Sequence, residues 1–93
     1  MEDWERVKEI IEACRPLLGD DTLEEVDHYL THDEWEMAFE GLLIELMRAD
    51  VVPPTYDFEK WCALLRDLGL DEDSVFDAYL WDKFVAWGKT KRP

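Results

Sequence analysis

Apolar residues recur every three to four positions along most of the chain, which is the spacing of one face of an α-helix. In the first segment the apolar side carries Trp4, Val7, Ile10, Ile11, Cys14, Leu17 and Leu18, and the opposite side carries Glu5, Glu9 and Glu12. Pro16 disfavours helical geometry at Arg15. We therefore expect the first helix to end there, with Gly19 completing the turn.

Two capping patterns predict where the next helices begin. Thr22 followed by Glu25 is a capping box, in which each side chain satisfies a free backbone amide at a helix start. Asp33 followed by Glu36 repeats the pattern. We therefore expect a second helix, a break at residues 31–33 and then a third helix.

The third helix, which we expect to end near Arg48, is apolar on two sides. Its main stripe holds Trp35, Phe39, Leu42 and Leu46, flanked by Ala38 and Leu43, and its far side holds Met37, Ile44 and Met47, interleaved with Glu36 and Glu40. A surface helix normally has a polar back. This helix therefore either lies at the centre of the bundle or presents a Met and Ile surface to a partner.

Two adjacent prolines separate the third helix from the fourth. Pro53 and Pro54 cannot continue a helix, so residues 49–55 are expected to form a loop. A fourth helix then begins at about Thr55 or Asp57 and runs to Leu68, with its apolar side at Phe58, Trp61, Cys62, Leu65 and Leu68.

Gly69 is expected to end the fourth helix, and a fifth begins between Asp71 and Ser74. Its apolar residues are Val75, Phe76, Tyr79, Leu80, Phe84 and Trp87. The aromatic residues also leave open a β-strand over residues 76–81. Together these elements predict an all-α fold over residues 1–93, a single domain built as a compact bundle of four to five short helices.

The charge of the chain is strongly negative and unevenly distributed. Asp and Glu total 24 against 10 Lys and Arg, which gives a net charge of −14. Sixteen of the acids lie between Arg15 and Arg48 or between Arg66 and Lys83, where there is no Lys or Arg. Such a field repels nucleic acid and anionic membranes and attracts basic protein surfaces. A merely solubilising surface is the alternative interpretation.

Cysteine usage and the N-terminus indicate a reducing compartment. Cys14 and Cys62 are isolated and fall at apolar helical positions, so we expect buried free thiols rather than a disulfide. The first residues, Met1-Glu-Asp-Trp-Glu, are acidic where a signal peptide is basic. No apolar run approaches the roughly 20 residues of a membrane span. We expect a cytoplasmic protein.

The chain offers little that could carry out catalysis, and we expect neither an enzyme nor a cofactor. Ser74 is the only serine, and neither cysteine has a nearby histidine in sequence. His28 and His32 are spaced to share a helical face, which Glu36 would extend into a zinc-binding row. The break predicted at residues 31–33 interrupts that row, so we expect no metal.

Recognition of another protein is the function class that remains. The candidate partner-binding residues are Glu24, Glu25, Asp27, His28, Asp33, Glu34, Glu36, Met37, Glu40 and Met47. They cover the second helix, the break and the outer side of the third helix. Carboxylates there would steer a basic partner, while Tyr29 and the methionines would supply packed contact area.

The stretch from Leu23 to Leu46 resembles the central signature of the MafI family of immunity proteins. The most specific part of this resemblance is His32-Asp33-Glu34-Trp35 followed by Ala38 and Leu42, and the resemblance covers roughly residues 20–75. It implies a helical immunity protein that binds the C-terminal domain of a secreted polymorphic toxin of the contact-dependent kind, often a ribonuclease. The C-terminal aromatic helix is longer than this family leads us to expect.

The resemblance and the charge agree on a partner. An acidic helical protein is the electrostatic complement of the basic active-site or RNA-binding cleft of a nuclease, and binding at an exosite stays open. The alternative is an acidic nucleic-acid mimic or adaptor that sequesters a DNA-binding or regulatory protein. No direct contact with nucleic acid or membrane is expected in either case.

Overall fold

The computed structural model describes residues 1–91, and within that range every regular element is helical. The elements are α1 (Asp3–Cys14), α2 (Asp20–Thr31), α3 (Trp35–Ala49), α4 (Phe58–Asp67) and α5 (Leu80–Lys89), with a 3₁₀ turn at Arg15–Leu17 after α1. The radius of gyration is 11.9 Å, close to the roughly 12 Å expected of a compact chain of this length. The predicted all-α bundle is confirmed.

The third helix lies at the centre of the bundle. It packs against α1, α2 and α5, and its buried residues are Ala38, Phe39, Glu40, Leu42, Leu43 and Leu46. Ile44 and Met47 also pack partly against the core. Of the two interpretations of this doubly apolar helix, central packing is therefore the one that the structure has.

Both predicted capping boxes are wrong by one to three residues. The second helix begins at Asp20 with Gly19 as its N-cap, so Thr22 lies inside the first turn, where acidic Asp20 and its neighbour already complement the helix dipole. The third helix begins one residue after Glu34. Asp33 instead adopts a left-handed conformation, with φ of 57°, that closes the turn after α2.

The C-terminal end of α1 and both ends of α4 lie where the sequence signals predict them. The α-helical geometry of α1 stops at Cys14, before the 3₁₀ turn that contains Pro16. The Asp57 side chain caps α4 by accepting a hydrogen bond from the backbone amide of Lys60 at 3.1 Å. Gly69 has a φ of 77° and ends this helix as predicted.

The fifth helix begins later than predicted, at Leu80 rather than between Asp71 and Ser74. Residues 71–79 form turns, so neither the early helix start nor the alternative strand over 76–81 is found. The cause is a long-range contact with Glu40. The backbone amides of the loop at Val75, Phe76 and Asp77 donate to the Glu40 carboxylate at 2.7, 2.7 and 2.9 Å, respectively.

Glu40 is consequently a structural residue. Its side chain is 0% exposed, and both carboxylate oxygens accept hydrogen bonds from the loop. A buried carboxylate is tolerated when hydrogen bonds replace its lost hydration. The prediction that Glu40 belongs to an exposed partner-binding surface is wrong.

Cys14 and Cys62 are buried and form no disulfide, as the sequence predicts. Burial raises the pKa of the Cys14 thiol to about 12, and only the thiolate reacts with electrophiles. In the folded Cys62→Ala protein at pH 8, we expect a disulfide-exchange reagent to label Cys14 at least tenfold more slowly than in urea. Equal rates of labelling in the two conditions would show that Cys14 is accessible in the native state.

No helix in the described part of the chain is both long enough and apolar enough to cross a membrane.

Candidate partner-binding surface

Carboxylates cluster on the outer face of α2, on the turn that follows and on the first turn of α3. We call these residues the acidic surface: Asp20, Asp21, Glu24, Glu25, Asp33, Glu34 and Glu36. All are exposed except Glu34, which is half-buried. Residues four apart lie on the same side of a helix, so the acids of α2 form one stripe. His28 continues that stripe towards the turn.

The acidic surface has no basic counterpart in the part of the chain that the structure describes. Within residues 1–91, none of its seven carboxylates lies in an ion pair with Lys or Arg. Its neighbour Asp27 does: the Arg15 guanidinium binds it through two nitrogens, at 2.7 and 3.2 Å, and lowers the pKa of the Asp27 carboxyl. The negative field of this face is therefore locally uncompensated.

Most of the other carboxylates that pair with a Lys or Arg belong to parts of the chain outside α2. Asp67 pairs with Arg6 at 2.7 Å, and Asp77 pairs with Lys83 at 2.6 Å. The Lys83 ammonium, together with a hydrogen bond from the backbone amide of Tyr79, lowers the pKa of the Asp77 carboxyl. Each acidic stretch of the sequence is thus partly neutralised by the fold, through Asp27 and Glu45 in the first and Asp67 and Asp77 in the second. The seven carboxylates of the acidic surface keep their charge.

The predicted partner-binding residues divide into accessible and inaccessible groups. Glu24, Glu25, His28, Asp33 and Glu36 are exposed, and Asp27, Glu34, Met37 and Met47 are half-buried. Met47 packs against the core, and Glu40 is buried as described above. The accessible residues come together on α2 and on the turn into α3, while the outer side of α3 contributes less than the sequence suggested.

Tyr29 provides an aromatic group inside the acidic surface. Burial, followed by the charges of Glu25 and Glu34, raises the pKa of its hydroxyl. The phenol is therefore neutral at physiological pH. Its O–H group interacts with the Glu25 carboxylate, so it can offer a partner a ring face together with a hydroxyl oxygen that accepts a hydrogen bond.

Residues 74–79, which we call the aromatic loop, lie beside α2. Val75 is 60% exposed, Phe76 42% and Tyr79 67%, and the ring of Phe76 lies 5.7 Å from that of Tyr29. Large apolar side chains exposed together, next to a polar surface, are typical of interaction sites. The sequence analysis placed these residues in a helix, with a strand over residues 76–81 as the alternative. The signal that could have revealed the loop is a glutamate, Glu40, among the apolar positions of α3.

The histidines of α2 stack on each other without forming a metal site. The rings of His28 and His32 lie 4.4 Å apart, and His32 Nδ1 lies 2.8 Å from the backbone oxygen of His28. Among the residues described, no three His, Cys, Asp or Glu side chains converge in a way that could hold a metal ion.

Another cleft lies elsewhere, between α1 and the start of α4. Its volume is about 390 Å³, and Arg6, Glu9, Asp57 and Lys60 line it together with apolar residues such as Trp61. This mixture of charges distinguishes the cleft from the uniformly negative face of α2. It is therefore a weaker candidate for binding a basic protein.

Comparison of the chain with known families, curated proteins and solved structures found no match of any of the three kinds. The charge and shape of the acidic surface and the aromatic loop therefore carry the functional conclusion.

Proposed function

We propose that this chain is an immunity protein, which binds a basic toxin domain and neutralises it by covering the basic active-site or nucleic-acid-binding cleft of that domain. The observation that carries this proposal is the acidic surface: seven carboxylates on α2, the turn after it and the first turn of α3, none of them in an ion pair with Lys or Arg within residues 1–91. A solubilising surface needs acids, but it does not need them gathered on one side.

Charge complementarity supports a nuclease as the toxin. Enzymes that cleave nucleic acid hold the phosphates with Lys and Arg side chains, and a surface of carboxylates can pair with those same side chains. Long-range attraction raises association rates by roughly 10- to 1000-fold. An antidote benefits from such rates because it must capture the toxin before the toxin reaches its substrate.

Packed contact area supports a tight complex. Charges at the rim of an interface govern association rate and specificity, while aromatic and methionine side chains near its centre supply most of the binding energy. Tyr29, Phe76 and the half-buried Met37 lie within or beside the acidic surface. The face thus combines steering groups with groups that can anchor a partner.

The resemblance of residues 20–75 to the MafI family supports the same proposal. It adds that the partner is the C-terminal domain of a secreted polymorphic toxin. A cytoplasmic location goes with this proposal, because the nucleic acid to be protected lies there.

Co-expression with the product of the neighbouring reading frame tests the proposal. We expect expression of the neighbour alone to stop growth, co-expression to restore it, and the two chains to co-purify at a 1:1 ratio. If the neighbour is harmless and the chain instead co-purifies with a DNA-binding regulator, the alternative of a nucleic-acid mimic is correct. Growth arrest that co-expression does not relieve would contradict the immunity function.

A further inference from the structure

A groove of about 280 Å³ runs between α2 and α3 and ends at the aromatic loop. Its lining residues are Thr22, Glu25, Gly41, Ile44, Glu45 and Phe76. Pockets for drug-sized ligands start at about 300 Å³, so this groove is of a size for one side chain of a partner rather than for a cofactor. It opens beside the acidic surface, to which Glu25 belongs.

Gly41 creates the depth of this groove. A Cβ atom placed on Gly41 would meet nothing within 4 Å, so the missing side chain leaves open space between the two helices. Glycine in the middle of a helix is unfavourable relative to alanine, and α3 is otherwise built from good helix formers. Within residues 1–91, no packing contact requires a glycine here.

The walls of the groove differ in chemistry. Phe76 contributes an aromatic ring to the lining, and Ile44 contributes an aliphatic side chain. The Glu45 carboxylate is already occupied, because Arg48 binds both of its oxygens at 2.5 and 2.9 Å. Glu25 is the carboxylate of the groove that has no Lys or Arg partner within residues 1–91. A ligand would therefore meet one carboxylate outside any ion pair, whose other neighbour is the Tyr29 hydroxyl, together with an aromatic ring and an aliphatic side chain.

We propose that this groove receives an arginine side chain of the basic partner, a proposal that rests on the proposed function. The arginine stem would lie over Gly41 and Ile44, and the guanidinium would lie between the Phe76 ring and the Glu25 carboxylate. A guanidinium is planar and weakly hydrated, stacks on aromatic rings and pairs with carboxylates through two N–H groups. The strongly hydrated ammonium of lysine suits a partly apolar groove less well.

A second copy of this chain is a poor occupant. Each copy has a net charge of −14, and the groove opens within the face that carries the uncompensated acids. Two such faces repel each other. Charge complementarity therefore favours a basic protein over self-association.

Gly41→Leu is designed to fill the groove. Because a Cβ at this position has open space, and because leucine is a far better helix former than glycine, we expect the variant to unfold at a higher temperature than the wild type. Ala86→Leu is the matched control, since it places the same side chain at an exposed position of α5 outside the groove.

The first arm of the experiment titrates the ¹⁵N-labelled full chain with acetylated tri-arginine amide and with tri-lysine amide. We expect tri-arginine to shift the amide signals of Gly41, Ile44 and Phe76 and to bind at least threefold more tightly than tri-lysine. Gly41→Leu is expected to abolish that preference, and Ala86→Leu to retain it. Equal binding of both peptides, or a preference that survives in Gly41→Leu, would overturn the arginine groove.

The second arm separates failure of the groove from failure of the proposed function. If the neighbouring gene product binds the wild-type chain, we expect Gly41→Leu to weaken that complex at least tenfold and Ala86→Leu to leave it unchanged. Equal binding by the wild type and Gly41→Leu would overturn the groove while the immunity function stands. If that product does not bind the wild type, the proposed function fails, and the peptide titration alone decides the arginine groove. Signals of the groove that shift with the concentration of the chain itself would assign the groove to a second copy and overturn the proposal.

Discussion

Replacing Glu40 with alanine is expected to lower the free energy of unfolding by about 3–5 kcal/mol. Three backbone amides of the aromatic loop donate to this carboxylate, and hydrogen bonds to charged groups contribute about 1.5–3 kcal/mol each. We expect less than the sum of three such hydrogen bonds, because water can satisfy the loop amides once they are released. A change of this size is a large part of the 5–15 kcal/mol by which most domains are stable.

Urea unfolding monitored by tryptophan fluorescence measures this effect. Glu36→Ala is the matched control, because Glu36 lies one turn earlier on the same helix but is exposed; we expect a change of at most about 0.5 kcal/mol there. Glu40→Gln keeps the size of the side chain but turns one acceptor into a donor that faces an amide. We expect an intermediate loss. A loss below about 1 kcal/mol in Glu40→Ala would contradict the anchoring role of this residue.

Reversing two charges of the acidic surface is expected to slow association with the basic partner by roughly tenfold to a hundredfold at low salt. The variant is Glu24→Lys combined with Glu36→Lys, which changes both exposed carboxylates without touching the buried Glu40. The expected cause is the loss of long-range electrostatic attraction. The difference in association rate between the variant and the wild type should therefore shrink as salt screens the field. Stopped-flow fluorescence at several salt concentrations measures the rates.

The matched control for this charge reversal is Glu9→Lys combined with Asp82→Lys. Glu9 is an exposed residue in the middle of α1, and Asp82 is exposed in the first turn of α5, so the pair copies the positions and the net charge change of the test variant. Its effect on the association rate should be several times smaller. If both variants slow association equally, net charge alone governs the rate and the acidic surface has no special role.

The sequence predicted those features that depend on neighbouring residues. Helical spacing identified all five helices, Asp57 and Gly69 marked the two ends of α4, and Pro16 marked the end of α1. Each of these signals acts within one turn of the chain. The two wrong capping boxes show their limit, since Gly19 and Glu34 serve as N-caps although neither has the expected side chain pattern.

The features that the sequence missed depend on contacts between distant residues. The start of α5 is set by Glu40, which lies 35 residues before Val75, and no local pattern reveals that the loop amides have this acceptor. The same contact brings the aromatic loop to α2 and so completes the candidate surface. The signal available in the sequence was Glu40, a glutamate between apolar positions of a central helix. Its burial shows that it has a structural role.

The uneven charge was visible in the sequence, but its compensation was not. Asp27, Asp67 and Asp77 fall in the two acidic stretches, yet each binds an arginine or lysine from another part of the chain. The acids of α2 other than Asp27, and those of the turn into α3, have no such partner within residues 1–91. Only the fold distinguishes these two groups of carboxylates.

Cross-saturation NMR of the complex between the ²H,¹⁵N-labelled chain and its unlabelled toxin partner tests most directly whether the acidic surface meets a basic protein. We expect the amide signals of residues 20–37, and of the aromatic loop beside them, to lose intensity when the partner is irradiated. Amide signals from the exposed faces of α1 and α4 should keep their intensity. Intensity loss confined to α1 and α4, with residues 20–37 unaffected, would contradict the account.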